Sequence, residues 1–571
     1  MNVAHAEDDD FVPGTTNIFI SKDTESVEST YTDRPTKRNE KGIILLPQPS
    51  DSPNDPLNWS TRRKIWHFFL LAFITGLTAA ISNDAGASQD SLNAIYGISY
   101  DAMNTGAGVL FLFIGWSCIF FAPASSLYGR RITYIICLLS GCLGSIWFAV
   151  SRKTADTIWS QAFVGMSEAC AEAQVQQSLS DIFFQHQLGS VLTVYILATS
   201  VGSFLAPLIA HIISENQSFR WVGWWGAIIT GITLIVVIFG CEETVFDRSK
   251  YINVYQSFTV NEGESNDLLQ KEKKEDTEKE RSNGTSGFIV TKDHTREAEI
   301  REAHSDAVSK EEKSSYLKRI ALITPASYLR GFGVKQYCTR FLVYFKVFTL
   351  PAVWLSGLLW GLQDAYMTFF LTTQDTYFPK KPWNYSETQV ALMNVATLIG
   401  AIIGCFMSGI MSDKHVIWLA RRRNGVLEPE YRLWLLFITL FISPVGLILF
   451  GVGADKSWSP IAIYAGLAFI GYGWGSVGDT AMSYLMDSYP EIVIQGMVGV
   501  SIINNTLACI FTFVCSHWLD SAGTANTYIA LAVIDFVSIA FIIPSFIWGK
   551  TWRRKTKRLY LELVELTQGM G

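Results

Sequence analysis

Long uninterrupted apolar runs recur along the chain, each closed by charged residues or by Gly- and Pro-bearing segments. A helix needs roughly 20 residues to cross a bilayer. Runs of that length predict spans near Lys64–Ser88, Thr105–Pro123, Ile132–Val150, Thr157–Leu179, Leu188–Ile213 and Trp221–Cys241. A second set is predicted near Pro351–Leu371, Thr388–Met411, Leu433–Gly453, Ile461–Tyr484, Ile494–Leu519 and Tyr528–Trp548. The pattern is six plus six around a polar segment. It predicts an all-α membrane protein of twelve transmembrane helices in two six-helix, pseudo-symmetric halves. The divisions are a disordered N-terminal tail over 1–60, a first half over 61–241, a charged linker over 242–350, a second half over 351–549 and a C-terminal tail over 550–571. In two-half membrane folds a binding site falls between the repeats near the midplane.

Composition sharpens this. The chain is 49% hydrophobic and 17% charged, against about a quarter charged in soluble domains. The charge sits in the tails and linker, so the net charge of −6 is a sum over unlike regions and indicates no nucleic-acid partner. Lys and Arg set the orientation. Arg62, Arg63, Lys64, Arg130, Arg131, Arg421, Arg422, Arg423, Arg553, Arg554 and Lys555 fall on one side; the other holds few. Both termini are therefore expected in the cytosol. The sequons at Asn216 and Asn384 then face outward as candidate glycosylation sites, while those at Asn58 and Asn283 face inward. No cleavable leader precedes the first run, which is expected to serve as its own targeting signal. None of the nine cysteines is in an expected outer loop and no spacing suits zinc. The run Lys271–Arg281 reads as a solvated segment. Tyr328–Lys346, mixed aromatic and basic, reads equally as an interfacial helix or as loop.

An ionisable group at the bilayer centre costs about 2.5–3.5 kcal/mol on insertion scales, so it persists only beside a wet cavity or a partner. Glu168 and Glu172 are four apart, on one helix face. Asp364 falls midway along the seventh run, Asp479 in the tenth and Asp487 at its inner end; Asp84 and Asp90 lie in the outer part of the first. No Lys or Arg falls inside an expected span to offset them, which calls for a bound cation or a proton. Glu168, Glu172 and Asp364 are the candidate cation-binding acids; Asp479, Asp84 and Asp487 are candidates for proton coupling or gating. Bland readings stand beside these: a helix-capping role for Asp487, a loop position for Asp84, a backbone hydrogen bond for Asp364 or Asp479. Trp360, Tyr366, Trp474 and, less directly, Tyr484 could offer ring faces to an organic cation, or simply pack. Asn394 and Asn505 could bond amines or link helices. No phosphate-binding loop, catalytic triad or cofactor motif is present, so neither an enzyme nor an ATP-driven pump is expected.

Specific motifs add a family. Ala122-Pro-Ala-Ser-Ser-Leu-Tyr-Gly-Arg-Arg131 resembles the major facilitator loop motif G-P-L-S-[DE]-R-x-G-R-R, with a weak echo at Gly409–Asp413. Gly202–Ala210 resembles the fifth-span G-x-x-x-G-P-x-x-G stretch, and Phe219–Trp224 and Glu242–Thr244 the sixth-span borders of the fungal twelve-span drug:proton antiporter branch. Asn83–Asn93, Ser167–Val175, Asp181–Gln187, Tyr484–Pro490 and Ile503–Thr506 resemble more closely the Hol-type permeases of the yeast plasma membrane. That resemblance implies the major facilitator fold, a plasma-membrane location and uptake of polyamines (putrescine, spermidine, spermine) and related organic cations, with proton coupling left open. Two departures matter. The motif's acidic residue and following Arg are Ser126 and Leu127, and the fourth-span Arg linked to proton exchange in the antiporters is Gln161. The alternatives are a drug:proton antiporter exporting cationic compounds and a nutrient receptor on a transporter scaffold.

Overall fold

The computed structural model describes residues 11–17, 37, 45, 47–246, 248, 313–325 and 333–568. The charged run Lys271–Arg281 and the sequon at Asn283 lie outside them. Twelve helical passes follow in order. The first half holds Thr61–Asn83, Tyr100–Tyr128, Arg130–Ala149, a fourth pass made of Thr154–Ala169, Cys170–Val175 and Gln176–Ile182, then Gln185–Asn216 and Phe219–Gly240. The second holds Pro351–Tyr377, Glu387–Arg422, Pro429–Asp455, Pro460–Ser488, Val493–Ala522 and Thr524–Lys555. They are called spans 1 to 12 below.

Ten of these helices are long and apolar enough to cross a membrane by composition alone, and span 7 makes eleven when joined to the helix before it. The exception is span 4. It spends its middle on Gln161, Glu168, Glu172, Gln174, Gln176 and Gln177, so its polarity is the reason it falls short.

The packing repeats with a shift of six. Span 2 packs on 4 as 8 does on 10; 3 on 6 as 9 on 12; 1 on 5 as 7 on 11. The halves meet where 2 lies against 11 and 5 against 8. Glycine permits the matching close approaches. A Cβ on Gly165 would overlap the Leu110 carbonyl of span 2, and one on Gly471, six spans on, the Thr397 carbonyl of span 8. Small residues serve this purpose between membrane helices, where dispersion contacts replace the hydrophobic drive.

An even number of passes leaves both termini on one face. On that face the helix Val334–Lys346 meets span 7 at 83°, so the described part of the stretch Tyr328–Lys346 is helical rather than loop. Gly129, at φ 109°, starts span 3 with no room for a side chain, because a Cβ would overlap the Glu243 carboxylate. Glu243 accepts the Arg130 and Arg131 amides at 3.1 and 3.2 Å and so caps the positive end of span 3.

Two expectations need correction. The N-terminal stretch is not wholly a disordered tail. Thr16–Asn17 pairs antiparallel with Val426–Leu427, the buried Val12 to Gly14 pack beneath the second half, and Arg553 donates to the Pro13 carbonyl and to Thr15 Oγ1. Nearer span 1, Asp55 is fully buried, accepts from the Ser50 amide at 2.9 Å and pairs with Arg248 at 3.1 Å. Secondly, span 9 begins earlier than Leu433. Its first turns, Pro429–Leu435, bring Arg432 into the buried interior.

Candidate functional site

Midway through the fold, span 4 widens. Cys170–Val175 forms a π turn, a distortion that frequently marks functional sites. Glu168 stands just before it and Glu172 within it, each 8% exposed. Glu168 faces Ser82 of span 1 and Asp364 of span 7; Glu172 faces Glu168, Asp364 and Ser501 of span 11. Three carboxylates from both halves therefore act on one another. Among the described residues no Lys, Arg or His forms an ion pair with any of them, and Glu172 Oε2 has no hydrogen-bond partner. Tyr195 of span 5 lies beside Glu168 and Glu172 with Gln176 next to it.

The second half supplies the aromatic wall. Trp474 Nε1 donates to Asp364 Oδ1 at 2.9 Å, which fixes the carboxylate against span 10. The Trp360 and Trp474 ring centroids are 4.7 Å apart, and Phe204 of span 5 meets Trp474 edge-on at 5.4 Å. Asn504 is also turned to Asp364, and its buried amide nitrogen and oxygen have no partner within hydrogen-bonding range. Like charges in a low-dielectric site repel strongly, so this constellation is electrostatically incomplete until a cation or protons enter. A ring face beside a carboxylate suits an ammonium on a methylene chain.

Several sequence expectations land elsewhere. Tyr366 is fully buried and lies by Asp535 of span 12, away from Asp364; two residues apart on a helix point to nearly opposite sides. Asn505 donates to the Ser501 carbonyl and hydroxyl of its own helix at 3.0 and 3.3 Å, leaving Asn504 as the asparagine turned to Asp364. Asp487 is not an unpaired acid: Arg432 bonds it and also Asp413, at 2.9 Å. Asp413 in turn accepts the Ser190 amide and hydroxyl of span 5, each at 2.8 Å. This buried set ties the halves together on the terminus-bearing face. Tyr484 sits among Glu430, Arg553 and Tyr489 there, remote from the acids of span 4.

Asp479 is fully buried between the two groups. Its Oδ2 accepts from Ser408 at 3.1 Å and Thr193 at 3.3 Å, and its Oδ1 is unpartnered. Ser408 belongs to a second π turn, Met407–Met411. Asp84 follows the last turn of span 1 at the far face, half-buried, and Asp90 accepts from Tyr100 Oη at 2.6 Å. Asn394 is buried in span 8 with its oxygen unpartnered. Gln161 packs against span 2 beside Gly106. The two sequons, at the end of span 5 and in the loop after span 7, are both exposed on the far face. A further acid that the sequence pattern does not single out is Asp535, buried in span 12, which accepts from Gln363 Nε2 at 2.9 Å and whose Oδ2 has no partner among the described residues.

Comparison with known proteins adds to this geometry. The family model described as Major Facilitator Superfamily matches residues 68–514. Protein HOL1 of Saccharomyces cerevisiae is 52% identical, covering 98% of each chain. An uncharacterized MFS-type transporter of Schizosaccharomyces pombe is 46% identical over 96% of this chain and 94% of its own. A probable drug/proton antiporter of Saccharomyces cerevisiae is 23% identical over 85% and 84%. The crystal structure of the human organic anion transporter MFSD10 aligns with a TM-score of 0.50 at 13% identity, over 84% of this chain and all of the other, a likeness of fold alone.

Proposed function

Because the chain belongs to the major facilitator superfamily and is a multi-pass membrane transporter, we propose that it carries polyamines and related organic cations into the cell across the plasma membrane, by alternating access and with both termini in the cytosol. The observation that carries this reading is the trio Glu168, Glu172 and Asp364, which has no basic partner among the described residues, is drawn from both halves and is walled by Trp360 and Trp474. Spermidine holds amines at both ends and one between. Two carboxylates on the first half and one on the second offer it separated anchors, with indole faces for the methylenes. Asn504 and Tyr195 supply polar contacts. Asp479, between the trio and the terminus-bearing face, is the group for proton release or exit.

The driving force needs no second ion. One charge moved through 100 mV is worth about 2.3 kcal/mol, so a trivalent amine gains about 7 kcal/mol, enough for accumulation of ~10⁵. Uptake of radiolabelled spermidine by cells with and without the protein tests the proposal. Faster entry with the protein supports it; unchanged entry overturns it. The identity to a probable drug/proton antiporter favours a second reading, export of cationic compounds. In that case labelled cation preloaded into the cells would leave faster when the protein is present.

A further inference from the structure

At the far face, spans 5 and 8 bring together groups from the two halves that the substrate site does not use. His211 and Glu215 stand one helical turn apart at the end of span 5, and Glu387 opens span 8. The imidazole Nε2 is 3.2 Å from Glu215 Oε1, and Nδ1 is 3.6 Å from Glu387 Oε2. One ligand atom from each residue falls within 4.8 Å of the others. Thr388 donates to Glu215 Oε1 at 3.5 Å, so the two helix ends also touch directly. The carboxylates are largely exposed, while His211 is only 7% exposed and its Nε2, though close to Glu215, makes no hydrogen bond among the described residues. Buried polar atoms are rarely left so. Further acids crowd the rim, with Asp375 facing both Glu387 and Asp90.

We propose that His211, Glu215 and Glu387 form a site for a first-row divalent metal ion of the zinc type, joining the outer ends of the two halves. One imidazole and two carboxylates are a donor set that such ions accept, with water completing the tetrahedron. The metal would take the lone pair of the neutral imidazole and draw the two carboxylates already beside the ring into its shell. No short-range spacing announces this site, because Glu387 lies 172 positions beyond Glu215, across the linker. An ion held from both sides binds only the arrangement in which spans 5 and 8 meet at the far face. It therefore stabilises that state and slows the exchange between states that transport requires.

The test is titration of the purified full chain with Zn²⁺, read by calorimetry and by the thermal unfolding midpoint, with Mg²⁺ as the hard-cation control. Wild type should bind one Zn²⁺ and gain in Tm, with no comparable response to Mg²⁺. His211→Ala and the exposed Glu387→Gln should each weaken Zn²⁺ binding by about tenfold or more, the loss that even a supporting residue of a metal site causes. External Zn²⁺ should inhibit labelled-cation flux in wild type and less in Glu387→Gln. Zn²⁺ binding of equal strength in wild type and both variants, equal responses to Zn²⁺ and Mg²⁺, or no binding to wild type would each overturn the site. The binding readouts do not depend on which substrate is carried.

Discussion

Asn504 and Asn505 are adjacent and chemically identical, yet only one is turned to the acids. Asn505 spends its amide on the Ser501 carbonyl and hydroxyl, while Asn504 is aimed at Asp364 with its donor and acceptor unused. Asn504→Ala is therefore expected to weaken spermidine affinity by about tenfold, the value of roughly one hydrogen bond to a charged partner. Asn505→Ala should act through stability, lowering Tm with affinity retained in the folded fraction. Binding and thermal melts on both variants check this, and the reverse pattern would return Asn505 to the site. At the trio, Glu168→Gln and Glu172→Gln should each reduce affinity at normal surface expression. Unchanged affinity in both would remove the acids of span 4 from recognition. Composition could flag these carboxylates, because an apolar run makes an acid conspicuous. It could not choose between neighbouring asparagines, nor place Tyr366 beside Asp535, since helical phase relative to the cavity is a tertiary property.

Elements carry the next level of specification. Hydropathy is one-dimensional, so the passes other than the polar span 4, and their grouping around the linker, were legible from runs of Leu, Ile, Val and Phe. What lay beyond it were contacts between distant segments. Thr16 pairs with Leu427, Trp474 bonds Asp364 across 110 positions, and Arg432 enters from a turn ahead of the expected ninth span. Arg432 is the central cation of the terminus-bearing face, pairing with Asp413 and Asp487, while Asp413 accepts from Ser190 in the second turn of span 5. Removing one partner of a buried ion pair costs about 3–5 kcal/mol. Arg432→Met is thus expected to lose most of its folded, surface-expressed protein, and adding Asp487→Asn should recover part of it; no recovery would break the pairing argument. Span 4 yields a different prediction. Gln161, the position that the motif resemblance aligns with an antiporter Arg, lies on the helix that leads to Glu168. Gln161→Arg should weaken spermidine uptake more than that of a monovalent amine, because repulsion scales with substrate charge. Equal loss for both would indicate misfolding.

For the whole molecule, the two halves are alike in packing and unlike in charge. The first half contributes two carboxylates to the central trio and the second contributes one with its tryptophans. On the terminus-bearing face Asp413 accepts from Ser190 of span 5, whereas Ser126, at the corresponding place in the first half's loop motif, carries no charge. The segment from Phe11 to Asn17 spans this asymmetry, since it precedes the first half yet binds the second through Arg553 and the Val426–Leu427 strand. Under the proposed function, one substrate is held at both ends by acids from both halves. The most direct measurement compares spermidine with a short monoamine binding to purified Asp364→Asn. Spermidine affinity is expected to fall while monoamine binding at Glu168 and Glu172 survives. Equal retention of both ligands would contradict it and confine recognition to the first half.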